Sequence, residues 1–339
     1  MLNATNASYI LNKITYDSIS TFRPTMKNLS HFFPFPKCSP LAFLCISLLS
    51  FGASGSNNLL DPATQPRFVN RLTVPQILDA RSGGTFTVPV TQFQQNLGLK
   101  NPSTQDSMLT TVWGYGGMSP GPTIITRQGT PSDFYFHNEL RNGTTPLPHL
   151  LEIDTTIHWA FSGDTTLIRQ YGVPISTHLH GGKTESASDG LPDSWYTPGY
   201  GLIGMDCELS NTVPYHYTND QEAATNWYHD HTLGITRLNV YTGLYGAYLL
   251  RDNTEENLIA TNQLPSDSFQ IPLILQDRMF TDDGQLYYPS ENDIVPGIPS
   301  VLPEFYGNIM MVNDKAWPYL EVEPRPYRFR LINASDSRF

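Results

Sequence analysis

Thr177-His178-Leu179-His180-Gly181-Gly182 and Trp227-Tyr228-His229-Asp230-His231 each carry a His-x-His pair, with 49 positions from His180 to His229. Successive side chains of an extended strand point to opposite faces, so residues i and i+2 share a face. Each pair therefore presents two imidazoles to one side. Two such strands lying side by side bring four imidazoles together, and neutral imidazole suits copper, zinc, iron and nickel. Polar positions on solvated strands would show the same spacing, so a single pair is weak evidence. Two pairs in one chain make a metal site the stronger reading.

The surrounding sequence is strand-like. Phe86-Thr-Val-Pro-Val90 alternates apolar and polar residues, and Leu109-Thr-Thr-Val-Trp113 is β-branched and aromatic. Thr123–Thr126 and Asp133–Phe136 read as further strands, with turn chemistry at Met118-Ser-Pro-Gly-Pro122 and Asn142-Gly143. Pro174–His178 leads into the first histidine strand. Gly243–Leu250 is a near-continuous apolar run. Short strands with frequent turns predict an all-β, Greek-key β-sandwich. Composition agrees, with 25 Gly and 27 Pro in 339 residues and only 15% charged residues. The net charge of −11, with no cluster of Lys and Arg, argues against nucleic acid as a partner.

The settings of the two pairs resemble a known family. His178-Leu-His-Gly-Gly with Ser188-Asp189-Gly190, and Trp227 through Tyr241, look like the first two copper-binding segments of multicopper oxidases. The branch most resembled is that of bacterial spore-coat laccase, bilirubin oxidase and phenoxazinone synthase. The likeness runs from about Arg71 to Phe339. It includes Val112-Trp113-Gly114-Tyr115, Ser119-Pro120-Gly121-Pro122-Thr123 and Arg328-Phe-Arg-Leu-Ile-Asn-Ala334.

The resemblance implies a cupredoxin-like fold: one complete domain over 76–253, a linker over 254–268 and an incomplete second cupredoxin-like domain over 269–339. It implies copper as cofactor, with His178 resembling the type 2 ligand and His180, His229 and His231 resembling type 3 ligands of a trinuclear cluster. It implies oxidation of a small organic or metal-ion substrate, with O2 reduced to water. The family's type 1 copper uses a C-terminal His-Cys-His segment. This chain has no His-Cys dipeptide and no histidine beyond His231. The chain is therefore expected to be the N-terminal portion of such an oxidase, needing a C-terminal cupredoxin domain to complete the cluster. The alternative is a truncated, non-catalytic copper-binding protein.

Asp189, in Ser-Asp-Gly, matches a family aspartate that moves protons near the cluster; an Asp-Gly turn needs no such role. Asp230 should face away from its flanking histidines and serve as a hydrogen-bond acceptor. Trp195 and Trp227 are expected to pack around the histidine segments. His137, His149, His158 and His216 lack neighbouring ligands in sequence, and Met279, Met310 and Met311 read as core filler.

Residues 1–55 form a leader. Lys27 and Lys37 precede the apolar run Leu41–Phe51, and Ala53, Ser54 and Gly55 follow it, the layout of a secretory signal peptide. The run is too short for a membrane span. A secreted, periplasmic or cell-surface location follows, with Met26 an alternative start. Residues 56–75 read as an N-terminal arm. With Cys38 and Cys45 in the leader, only Cys207 remains, so no internal disulfide framework is expected. Cys207 has no His-rich surroundings and reads as a free or intermolecular thiol.

Overall fold

A computed structural model describes residues 58–161, 164, 166–289, 302 and 304–339. The expected leader, with its expected signal segment, lies outside the described residues. In chain order, the elements that carry the site are β1 (Ile77–Asp79), β2 (Gly84–Thr87), β3 (Val90–Gln95), β4 (Thr110–Tyr115), β5 (Thr123–Arg127), β6 (Ser132–Tyr135), β7 (Thr177–His180), β8 (Tyr215–Tyr217) and β9 (Ala224–Asp230). Helix α1 (Thr236–Thr242), strand β10 (Tyr245–Arg251), helix α2 (Asn253–Ala260), and strands β11 (Gln270–Phe280), β12 (Ile309–Val312) and β13 (Arg328–Asn333) follow.

The main sheet has the order β7-β9-β10-β5-β1 and faces a three-stranded sheet, β8-β6-β2. The strands predicted around Phe86, Leu109, Thr123, Asp133 and His178 are present, with ends that differ by at most three residues. In the main sheet, β10 and β5 pair in parallel, as do β5 and β1, so neighbours come from distant parts of the chain. The space between the sheets is filled by aromatic rings. Phe134, Tyr217 and Tyr248 form a run with centroids 5.6 and 6.0 Å apart, and Tyr115 meets Tyr228 edge-on at 5.0 Å. Burial of such rings contributes roughly 1.5–3 kcal/mol each.

The apolar run before Leu250 has a physical reason. Tyr248 and Leu250 of β10 enter the sandwich core, while Tyr245 and Ala247 pack on the other face against Ile274 of β11 and Ile332 of β13. A strand covered on both faces needs apolar residues at every position. The covering layer has β11 at its centre, antiparallel to β12 and parallel to β13. A buried ion pair, Arg278–Asp314 at 3.0 Å, lies between the layers. The Tyr245 hydroxyl donates to Asp314 at 2.6 Å, and the Ser119 hydroxyl donates to it as well.

The stretch expected as linker begins with α2, whose first turn is capped by the Asp252 side chain accepting from Glu255 N–H. Glu255 also accepts from Arg328 at 2.8 Å and from Arg330, tying the helix to β13. The arm is ordered from Asn58: Leu60 is buried, and Asn70–Arg71 pairs in parallel with Pro318–Tyr319. Met311 is fully buried in the core, as its reading as filler requires. Among the described residues, no helix is long and apolar enough to cross a membrane.

Candidate metal centre

β7 is the edge strand of the main sheet and β9 its neighbour. Their antiparallel register sets His178 opposite His229 and His180 opposite Trp227. Alternation puts His178, His180 and His229 on one face, and the cross-strand pairing brings that face together. One ring nitrogen from each of these three lies within 4.8 Å of the others. His231 stands beside the trio, its ring centroid 4.9 Å from that of His178 and 5.8 Å from that of His229.

The outer hydrogen bonds orient the rings. His178 Nδ1 donates to the Asp189 carbonyl at 2.5 Å, and His229 Nδ1 donates to the Asp230 carbonyl at 2.7 Å. Each bond places the ring proton on Nδ1 and leaves Nε2 with a free lone pair, the usual way a ligating histidine is fixed. His229 Nε2 lies 3.2 Å from His180 Nδ1. Two ring nitrogens converge there, beside a third, on a common space.

Burial lowers the affinity of these rings for protons. It pushes His229 down to about 3, with its imidazole neighbours adding to the effect. Burial and then His178 lower His180, and burial and then His178 lower His231. Neutral imidazole is the form that binds metal, so the donor set, its tautomers and its convergence fit a transition-metal ion. The Trp227 ring lies 4.2 Å from His229 and 5.3 Å from His180. Trp195 packs edge-on against Phe161 in the sandwich core.

Asp189 reaches the cluster through its backbone and its side chain. Besides its carbonyl bond to His178, its Oδ1 lies 3.6 Å from His178 Nδ1 and accepts from the Thr184 hydroxyl at 2.5 Å. The Asp-Gly turn and the approach to the histidine are the same feature. Gly190 has φ +68°, and a Cβ there would sit 2.1 Å from the Thr177 carbonyl oxygen. Only glycine lets this loop press against β7.

Asp230 is fully buried on the face opposite its flanking histidines. Its carboxylate accepts from Ser176 N–H, Thr232 N–H, the Thr232 hydroxyl and the Asn239 side-chain amide at 2.9–3.0 Å. Burial pushes its pKa up to about 7 against these donors, all of which favour the anion. Asn239 and His149, joined at 3.0 Å behind it, were not predicted as part of the site. The available signal was a polar Asn inside the otherwise apolar Leu238–Tyr241 segment. His216 pairs with Asp133 at 2.7 Å, and His137 stacks on Tyr135. Cys207 is half-buried and free, its thiol pushed up by burial.

The fold and the site define a class: a β-sandwich that gathers imidazoles from two adjacent strands in the manner of a metalloprotein. Comparison with known proteins narrows it. The family model for multicopper oxidases matches residues 167–255, which span both histidine pairs. A laccase of Bacillus subtilis is 39% identical over 283 residues, covering 81% of this chain and 51% of the relative. Multicopper oxidase LPR1 of Arabidopsis thaliana is 39% identical over 241 residues, covering 69% and 39% respectively. The multicopper oxidase structure from Pediococcus acidilactici shares the fold with TM-score 0.56 at 22% identity, over 84% of this chain and 48% of that one. That of Aquifex aeolicus does so with TM-score 0.54 at 24% identity, over 78% and 46%. The chain belongs to the multicopper oxidase family, with a cupredoxin-like fold. It spans about half the length of the Bacillus laccase that it matches.

Proposed function

We propose that this chain supplies one half of the oxygen-reducing copper centre of a laccase-like multicopper oxidase. The convergence of His178, His180 and His229 within 4.8 Å, with His231 alongside, carries this reading. In it, His178 serves the type 2 position and His180, His229 and His231 serve type 3 positions. Bound copper would supply the one-electron chemistry that couples oxidation of an organic or metal-ion substrate to the four-electron reduction of O2 to water.

The protein's own groups prepare the site. His178 and His229 hold their protons on Nδ1 through the carbonyls of Asp189 and Asp230. Trp227 packs beside two of the rings. Asp189 is the proposed proton carrier, since water formation consumes protons and its carboxylate lies beside His178. Four imidazoles are too few for a trinuclear cluster, so the remaining donors and the substrate-oxidising copper would come from a further cupredoxin domain. We place the domains of this chain at 76–253 and 269–339, joined by 254–268, and its location outside the cytoplasm.

The test is copper titration of the full 339-residue chain against a competing chelator. Wild type retains Cu(II), and the His178→Ala/His229→Ala double variant, still folded by circular dichroism, does not. Equal retention by the two proteins would falsify the assignment.

A further inference from the structure

The β7–β9 ladder ends at the pair Thr177–Asp230. His231 is thus one residue past regular pairing, where strand alternation no longer dictates the direction of its ring. It nonetheless stands closest of all to His178. Its N–H donates to the Ser176 carbonyl at 2.7 Å. The Asp230 side chain supplies the rest. Oδ2 accepts from Ser176 N–H and the Thr232 hydroxyl, and Oδ1 accepts from Thr232 N–H and Asn239 Nδ2. Ser176 lies two residues before His178, and Thr232 directly follows His231. One carboxylate therefore continues the cross-strand pairing beyond the point where the backbone ladder stops.

Asn239, fully buried in α1, anchors the carboxylate. Its Nδ2 donates to Asp230 and to the Pro174 carbonyl at 3.2 Å, which leaves Oδ1 as an acceptor. The group 3.0 Å from that oxygen is His149 Nε2, which must then carry the ring proton. His149 Nδ1 lies 2.9 Å from both the N–H and the carbonyl oxygen of Leu151, and with the proton on Nε2 it accepts from the N–H. The ring is edge-on to Trp113 at 4.7 Å, and burial pushes it down to about 4, so it stays neutral.

The geometry points to Asp230 as a positioning residue that sets the arrangement of the two histidine segments, His231 above all, with Asn239 and His149 as its anchors. As far as metal is concerned this rests on the copper reading above; as far as the segments are concerned it stands without metal.

Asp230→Asn changes the shape little but puts an NH2 group among four donors, so at least one contact becomes donor against donor. In the metal-free full chain, amide hydrogen exchange at Ser176 and His231 is expected to quicken roughly 10- to 100-fold relative to Leu249 in β10. Cu(II) affinity, by chelator competition, is expected to fall by roughly 10- to 100-fold, with an altered electron paramagnetic resonance spectrum. His149→Leu shifts both readouts in the same direction by less, and His149→Gln, which retains an N–H for Asn239, restores them. Should Asp230→Asn not fold, the His149 pair carries the same test. Exchange that quickens equally in β10, or not at all, overturns the proposal. Quickened exchange in a chain whose wild type binds no Cu(II) upholds the positioning role and removes the copper reading. Equal Cu(II) affinity in wild type and Asp230→Asn overturns the role toward metal.

Discussion

The two histidine pairs look alike in sequence and are built differently. His178 and His180 both lie inside β7, an edge strand, and His180 is exposed. His229 lies in β9, between two neighbouring strands, and is buried, while His231 falls beyond the strand. The first pair is aimed by strand alternation, with the His178 ring held further by the Asp189 carbonyl. The second is aimed by alternation for one member and by a buried carboxylate for the other. Equal spacing in sequence therefore conceals unequal rigidity, and the pair that holds the buried His229 should dominate the behaviour of the site.

The sharpest way to break this comparison is to truncate one ring from each pair. His229→Ala is expected to weaken Cu(II) binding by more than roughly 100-fold, because losing even a partner one shell out reduces affinity 10- to 100-fold. His180→Ala, at the exposed edge, is expected to do less. Chelator competition measures both, and a larger loss in His180→Ala would reverse the ranking.

The first pair depends on the loop that presses Asp189 against it. Gly190→Ala places a Cβ 2.1 Å from the Thr177 carbonyl at a φ of +68°. Destabilisation of about 2–4 kcal/mol is expected from the clash and the strain together. Urea unfolding checks this, and an unchanged midpoint would mean that the loop does not brace β7.

Acid should expose the burial of His229. An unfolded histidine takes up a proton below about 6.5. His229 in the folded chain stays neutral down to about 3. Between those values the unfolded state binds more protons, so stability is lost as pH falls, by about 1.4 kcal/mol per unit for a fully buried ring. Asp230, raised to about 7, acts in the opposite sense, since its folded form binds the extra proton between 3.8 and 7. The His229→Gln variant isolates the histidine's share. The stability gap between metal-free wild type and this variant should change by about 2 kcal/mol from pH 7 to pH 5, to the disadvantage of wild type. A constant gap across that range would show that His229 is not held neutral.

The smallest effect belongs to a histidine outside both pairs. His216→Ala removes a half-exposed contact with Asp133. It should alter stability by about 0–1 kcal/mol and leave Cu(II) affinity unchanged. A loss of binding in this variant would mean that the site extends to the three-stranded sheet.

Much of this was legible along the chain because strand periodicity is local. The alternation around Phe86, the apolar run before Leu250 and both His-x-His pairs could be read without knowing what lay beside them. So could the family likeness of the segments around His178 and His229. Helix α2 was less visible, since Asp252-Asn-Thr-Glu-Glu is polar and reads equally well as a linker until its cap and its arginine partners are known.

The sequence alone determined that His178 and His180 would share one face, because a period of two is a property of the strand by itself, and it offered His229 and His231 at the same spacing. Only the tertiary structure decided that His178 faces His229, that β10 is covered on both sides, and that Asp230, Asn239 and His149 stand in line behind the site. Those are choices of partner, register and depth. They depend on which segments, distant in the chain, come to lie against one another, and no local pattern specifies them.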